Sequence, residues 1–298
     1  MKNREEAVVA LGMFDGMHLG HRALIRRTVD NAAQLHVLPA VCTFSNHPME
    51  VLGGQTRLLS TPEEREMILR GLGAEDVWMT PFTKNLSLMS PVTFIEMLMD
   101  KWKLAGIVVG FNYTFGDHGR GTPSTLAELG KTYGFMVDVV QPVLFMGEPV
   151  SSTRIRNALE AGKVQMAEKM LLHPYAMSGI VIENKRIGRR IGFPTANIAI
   201  SDNRVIPACG VYATDAAVDG KQYRAVTNIG TNPTVGGAHL TVETHLIDFE
   251  GNLYGRTLAI SFLEYLRGEK RFDSMDLLKM QIVSDVDRAR KIVVCNNI

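Results

Sequence analysis

Cysteine is scarce: Cys42, Cys209 and Cys295 are scattered over 298 residues. So sparse and odd a set excludes a disulfide framework and reads as reduced, partly buried thiols in a cytosol. An excess of charge of one sign is missing as well. The formal net charge is +1 and no long basic run occurs, which argues against nucleic acid as a principal partner, because phosphate-backbone binding leaves a basic footprint. Neither a signal peptide nor an apolar stretch long enough to span a bilayer is visible, so a cytoplasmic protein without membrane contact is expected. Internal repeats and low-complexity segments are absent. So is a Walker A string. The nearest candidate, Gly116 to Thr122, lacks the lysine that pairs with β- and γ-phosphates.

What is present fits a globular chain of two domains. Apolar residues make up 46% and charged residues 21%, and the length allows each domain its own core. In the first half, strands expected at 7–11, 38–44, 76–79, 107–109 and 136–140 alternate with helices. The helix starts are legible. Thr61-Pro62-Glu63-Glu64 combines an N-cap, a first-turn proline and a capping-box glutamate, and Ser90-Pro91 and Thr122-Pro123 repeat the cap-plus-proline pattern. Alternating βα units predict a doubly wound, mostly parallel sheet of Rossmann-like type. From about Leu172 the texture changes to strands without intervening helices, at 177–183, 210–218, 223–229, 240–249 and 258–265. A closing helix with Leu278, Ile282, Val286, Ala289 and Val293 on one face follows. That pattern predicts a small β-barrel with a terminal helix, and domains of 1–172 and 173–298.

The most informative stretch is Gly12-Met13-Phe14-Asp15-Gly16-Met17-His18-Leu19-Gly20-His21. It joins the first strand to a segment whose Leu24, Ile25, Thr28, Val29 and Ala32 fall on one helical face. A strand, a glycine-interrupted turn and a helix start gather free N–H groups and a positive dipole end at one spot. His18 and His21 sit there and can donate hydrogen bonds to nucleotide phosphates. A zinc site would need further ligands, and no Cys or His cluster nearby supplies them. At Ser151-Ser152-Thr153-Arg154-Ile155-Arg156, Ser152 or Thr153 is expected to cap a helix ending at Gly162. Arginines in its first turn oppose the dipole, a conflict that a bound anion resolves. A third glycine-rich strand end runs from Gly110 through Asn112 to Gly116.

In the second half, Thr195 and Asn197 of Gly192-Phe193-Pro194-Thr195-Ala196-Asn197 offer two oxygens on the same side of an extended chain. Such oxygens suit Mg²⁺, which takes few protein ligands beside phosphates and water. In Thr241-Val242-Glu243-Thr244-His245-Leu246, alternation sets Glu243 on the face opposite Val242 and Thr244.

Together these strings resemble the bacterial bifunctional riboflavin kinase/FMN adenylyltransferase family, the RibF-type FAD synthetases, over nearly the whole chain and in the family's order. The Phe-Asp-Gly and His-x-Gly-His strings look like a nucleotidylyltransferase signature. The resemblance implies catalytic roles for His18, His21 and Glu243. It places nucleotide and phosphate binding at Gly12, Phe14, Asp15, Gly16, Gly20, Asn112, Ser152, Thr153, Arg156, Gly188, Arg189, Thr195 and Asn197. Thr195 and Asn197 are the implied Mg²⁺ ligands, and His47 and Arg267 lie by the flavin. ATP is the implied co-substrate, riboflavin and FMN the other small-molecule partners, and FMN and FAD the products. The oligomeric state stays open. The chain departs from the family pattern at Met13, Asn184, Ile187 and Asn232, none of them expected to be catalytic. Because the flap residues Asn184 and Ile187 are altered, a chain with one live activity is also compatible with the sequence. So is a flavin-binding regulator without turnover.

Overall fold

The computed structural model describes residues 4–183, 192–201, 203–234 and 237–293, with only the backbone described for the residues of 232–239 among them. Gly188, Arg189, the altered flap residues Asn184 and Ile187, and Cys295 lie outside the described residues, as does the side chain of Asn232. Two compact units are present, Met1–Ser152 and Thr153–Ile298.

The first unit is built on β1 (Glu6–Leu11), α1 (Leu19–Leu35), β2 (Leu38–Phe44), α2 (Pro48–Val51), α3 (Pro62–Gly71), β3 (Asp76–Thr80), α4 (Lys84–Ser87), α5 (Pro91–Lys101), β4 (Lys103–Gly110), α6 (Pro123–Tyr133) and β5 (Met136–Val140). The sheet order is β3-β2-β1-β4-β5, with every pairing parallel. Both faces of β1 are buried. Ala7, Val9 and Leu11 join a core with Ile95, Leu98 and Trp102, while Val8 and Ala10 join a second with Leu24, Ile25 and Ala32. That division follows from the two-residue period of a strand covered by helices on both sides. Connections leave β1 toward β2 on one side and reach β4 on the other, so the topological switch lies between β1 and β4. The three cap-plus-proline starts form as expected: Thr61 closes a capping box with Glu64, and Ser90 and Thr122 cap α5 and α6. A short hairpin of β6 (Leu144–Phe145) and β7 (Glu148–Pro149), not expected from the sequence, follows β5.

The helix α7 (Ser152–Glu160) bridges into the second unit and precedes α8 (Val164–Leu171). Ser152 and Thr153 are already helical, so neither caps α7 as expected; the Ser152 hydroxyl instead donates to the Asp15 carbonyl at 2.9 Å. The barrel strands are β8 (Tyr175–Ile182), β9 (Ala196–Ala199), β10 (Gly210–Val218), β11 (Lys221–Thr234), β12 (Gly237–Leu246) and β13 (Thr257–Arg267), closed in the order β10-β11-β12-β9-β8-β13. α8 packs on β8 and β13, and the Leu159 carbonyl accepts from Ala208 N–H. These contacts place residues 153–171 with the barrel in the compact unit. The four-residue β9 begins at the end of the proline-bearing signature and has too short an apolar pattern to be expected as a strand, yet it completes the closure.

The terminal helix, α9 (Met275–Lys291), differs from the expected apolar stripe. Asp285 and Ala289 are its buried residues, Leu278, Ile282 and Val286 are half-buried, and Val293 lies past the helix end, 82% exposed. A polar anchor adds to the apolar packing of Val286, Ala289 and Ile292. Asp285 pairs with Arg267 at 2.8 Å and accepts from Gln281 at 2.9 Å, and Arg288 donates to the Leu266 carbonyl.

Two candidate active sites

At the switch point, His18 caps α1 and its Nδ1 accepts from His21 N–H at 3.3 Å. This puts the two imidazoles in a stack, centroids 3.6 Å apart and 17° from parallel, with Phe14 edge-on to His21. Glycine at position 20 permits it: a Cβ there would stand 3.2 Å from the His18 ring. Burial, then the proximity of His18 and Arg65, holds His21 well below its ordinary 6.5, so its imidazole is neutral at physiological pH. Its Nδ1 is buried and meets no hydrogen-bond partner among the described residues.

His21 opens onto a cavity of about 590 Å³ at the carboxyl ends of β1, β2 and β4, lined also by Gly12, Phe14 and Asn112. Phe44, Phe82, Phe94 and Phe115 supply aromatic walls, which suit a planar heteroaromatic ring. His18, Asp15, Gly16, Gly20 and His47 do not line it. Asp15 is buried, and its carboxylate accepts from Leu59 N–H, Ser60 N–H and the Ser60 hydroxyl at 2.9–3.2 Å. Gly16 N–H, at φ +80°, donates to the same hydroxyl. Both residues therefore shape the site through the 58–60 loop. His47 caps α2, its Nδ1 accepting from Met49 N–H beside the cavity-lining Pro48. Arg154 and Arg156 are half-buried on α7.

Sequence reasoning missed two residues that build this cavity. Asn46 exchanges two hydrogen bonds, 3.0 and 2.7 Å, with the backbone of Phe82. Arg65 lies wholly buried and donates to the Met13 and Phe44 carbonyls. Its signal was an arginine on the apolar face of α3, three and four residues before Ile68 and Leu69.

On the barrel, register sets Asn228, Glu243 and Asn197 side by side across β11, β12 and β9. Val242 and Thr244 point into the core while Glu243 is half-buried on the other face, as alternation requires. Burial raises the Glu243 carboxyl above its ordinary range. His245, two residues on, bonds the Pro194 carbonyl at 2.8 Å and packs edge-on to Phe193, pinning the Pro194–Asn197 segment to β12. Thr195 lines a cavity of about 740 Å³ with Pro194, Phe249 and Tyr254. Among the described residues there is no cluster of three or more His, Cys, Asp or Glu suited to a metal ion. Neutral oxygens such as those of Thr195 and Asn197 suit an ion held mostly by phosphates and water. Arg267 gives Nε and Nη2 to Asp285 and Nη1 to the Gly268 carbonyl, so its guanidinium secures α9.

Comparison with known proteins agrees with this division. Residues 1–154 match the FAD synthetase family and residues 171–293 the riboflavin kinase family. The chain belongs to the bifunctional riboflavin kinase/FMN adenylyltransferases. The family's member from Pseudomonas fluorescens is 36% identical over 288 residues, covering 95% of this chain and 92% of its own. That from Bacillus subtilis is 34% identical over 296 residues, covering 97% and 93%. A crystal structure described as a macrolide-efflux protein from Streptococcus pneumoniae superposes with a TM-score of 0.90 at 32% identity, covering 98% of this chain and 97% of that one. Among the described residues of this family member, no helix is long and apolar enough to cross a membrane.

Proposed function

We propose that this chain phosphorylates riboflavin to FMN on its barrel and adenylylates FMN to FAD at the cavity between β1 and β4, using ATP in both steps. Family membership over nearly the full length supports the two activities. One structural observation carries the assignment of sites: a stacked pair of imidazoles, buried His18 and half-buried His21, at a sheet switch point and a half-buried glutamate in register with Asn197 occur on one polypeptide.

In adenylyl transfer, an FMN phosphate oxygen attacks the α-phosphorus of ATP, the bond to the bridging oxygen breaks, and pyrophosphate leaves. His21 donates a hydrogen bond to the charge growing on the phosphate oxygens. His18 holds that ring by stacking and supplies a second imidazole. A neutral donor fixed in a dry site needs little reorganisation as the reaction proceeds. Gly12, Phe14 and Asn112 shape the pocket, and Ser152, Thr153 and Arg156 of α7 bind the ATP phosphates. In this reading the adenylyltransferase domain runs over 1–172 and the kinase domain over 173–298.

In the kinase step, Glu243 accepts the proton of the ribityl primary hydroxyl as its oxygen attacks the γ-phosphorus and ADP leaves. A carboxylate raised by burial suits that task. Thr195 and Asn197 would hold Mg²⁺, whose charge offsets that of the transferring phosphoryl group. Gly188 and Arg189 cover the nucleotide in this reading, and Arg267 sets the flavin end of β13. The partners are small molecules in the cytoplasm.

Incubation with riboflavin, Mg-ATP and pyrophosphatase tests the proposal, with FMN followed by FAD as the expected products. FMN that accumulates without FAD means the first site is dead. FAD from supplied FMN, with no product from riboflavin, means the barrel is dead. Tight flavin binding without ATP consumption makes the chain a regulator.

A further inference from the structure

Arg65 is 0% exposed, and burying a guanidinium costs several kcal/mol unless something repays it. The hydrogen bonds around it are few for five N–H groups. Nη1 donates to the Met13 carbonyl at 3.0 Å and to the Phe44 carbonyl at 2.6 Å, while Nε and Nη2 are buried with no partner. Asp15 and Glu63 attract its charge and burial opposes it. Those two carbonyls belong to residues that line the first cavity: Met13 follows β1, and Phe44 ends β2. Thr43 donates to the same Met13 carbonyl from the strand side. Arg65 thus ties two strand ends together directly behind the site and does not itself line the cavity.

We infer that Arg65 is a positioning residue for adenylyl transfer, fixing the Met13–Phe44 floor of the cavity on which His21 works. This rests on reading the cavity as the adenylyl-transfer site. The electrostatics point the same way. Of the groups facing His21, Arg65 from α3 and His18 from the start of α1 both disfavour a second proton on its ring. Lys84 and His118 line the same cavity, and Asp15 acts on Arg65. An apolar side chain at position 65 would keep the packing and lose both the tie and the field.

The test compares Arg65→Met, Arg65→Lys and His21→Ala in the full chain. It measures kcat and KM for FAD formation from FMN, the pH profile of that kcat, FMN formation from riboflavin, and thermal unfolding. Arg65→Met should lower kcat for FAD roughly 10- to 100-fold, as expected when reacting groups are misplaced, and leave FMN formation intact. Removing a nearby positive charge should also move the acid limb of the profile upward. Arg65→Lys should keep the acid limb in place and recover only part of kcat, because an ammonium cannot span two carbonyls as a planar fork does. Wild-type kcat and acid limb in a folded Arg65→Met protein overturn the inference, as does a kcat loss that merely tracks unfolding with the limb unmoved. Should Arg65→Met not fold, a wild-type kcat in Arg65→Lys overturns it, and a several-fold loss with an unmoved limb supports it. His21→Ala separates the two levels. If it retains FAD formation, the reading of the cavity falls and this inference with it; if it abolishes FAD formation while Arg65→Met is silent, only the inference about Arg65 falls.

Discussion

In the proposed reading the two sites solve the same problem, steering a nucleophile onto an ATP phosphorus, with opposite electrostatics. At the first, burial and the proximity of His18 and Arg65 hold down protonation of His21, and in the proposed reading the nucleophile needs no base because FMN brings its own phosphate oxygen. At the second, burial raises the Glu243 carboxyl, which in the same reading takes the proton of an alcohol nucleophile. The first site sits where a parallel sheet switches direction, so strand ends and a helix start converge without further design. The second sits on the outside of a closed barrel, where antiparallel register places one strand's acid beside another's amide. Burial acts on both, and the chemistry of the group being buried decides whether it yields a neutral donor or a base.

Separate substitutions should therefore break one half and spare the other. Glu243→Gln should have the largest effect, cutting FMN formation by about 10²- to 10⁴-fold with FAD formation from supplied FMN unchanged; loss of both in a product assay would contradict independent sites. The same substitution tests the raised carboxyl. Folding keeps the Glu243 proton to higher pH than the unfolded chain does, so native stability is lost as pH rises from the unfolded value of 4.5 through the folded one. Glutamine removes that loss. Melting curves should show a larger stability gain over wild type at pH 8 than at pH 5, and a gain that does not grow with pH would count against the raised carboxyl.

His21→Ala comes next, with FAD formation down about 10²- to 10³-fold and FMN formation intact by the same assay. Asp15→Asn trades a charged acceptor of Leu59 and Ser60 for a neutral amide that must donate as well. It should destabilise the first unit by about 1–3 kcal/mol in denaturant unfolding followed by Trp78 and Trp102 fluorescence, with barrel-based kinase activity unchanged. The smallest effect is expected at Thr227→Val. Thr214, Thr227 and Thr244 form a buried chain of hydroxyls inside the barrel, 2.8 and 3.0 Å apart. Removing the middle one should cost the barrel about 1 kcal/mol, read in the same experiment as a shift of kinase loss to lower denaturant while FAD formation holds.

Much of the architecture was legible because its causes are local. β2, β5 and β10 fall where the apolar runs put them, and Thr61, Ser90 and Thr122 cap as their sequence patterns predict. β9 was hidden because four residues beside a proline carry too little periodicity to be told from a loop. The C-terminal helix falls where expected, with Leu278, Ile282, Val286 and Ala289 turned inward, but a search for apolar spacing passes over its ion pair, Asp285 with Arg267, and runs one turn too far, to Val293. Arg267 itself shows the limit at the sites: the motif gave its position, and the fold commits its guanidinium to α9.

From the chain alone came the βα alternation, the two-domain division in outline, and the Gly12–His21 and Pro194–Asn197 strings to which the proposed chemistry is assigned. Each of these depends on residues within a few positions of one another, whose periodicity, caps and turns are fixed by short-range sterics and hydrogen bonding. Tertiary structure alone decided that Asp15 builds a loop, that Arg65 stands behind the cavity, and that Glu243 lies beside Asn197 46 residues away. Burial and field at a side chain are sums over neighbours that the fold brings together from distant parts of the sequence. The protonation state of His21 and the basicity of Glu243 exist only once that sum has been made.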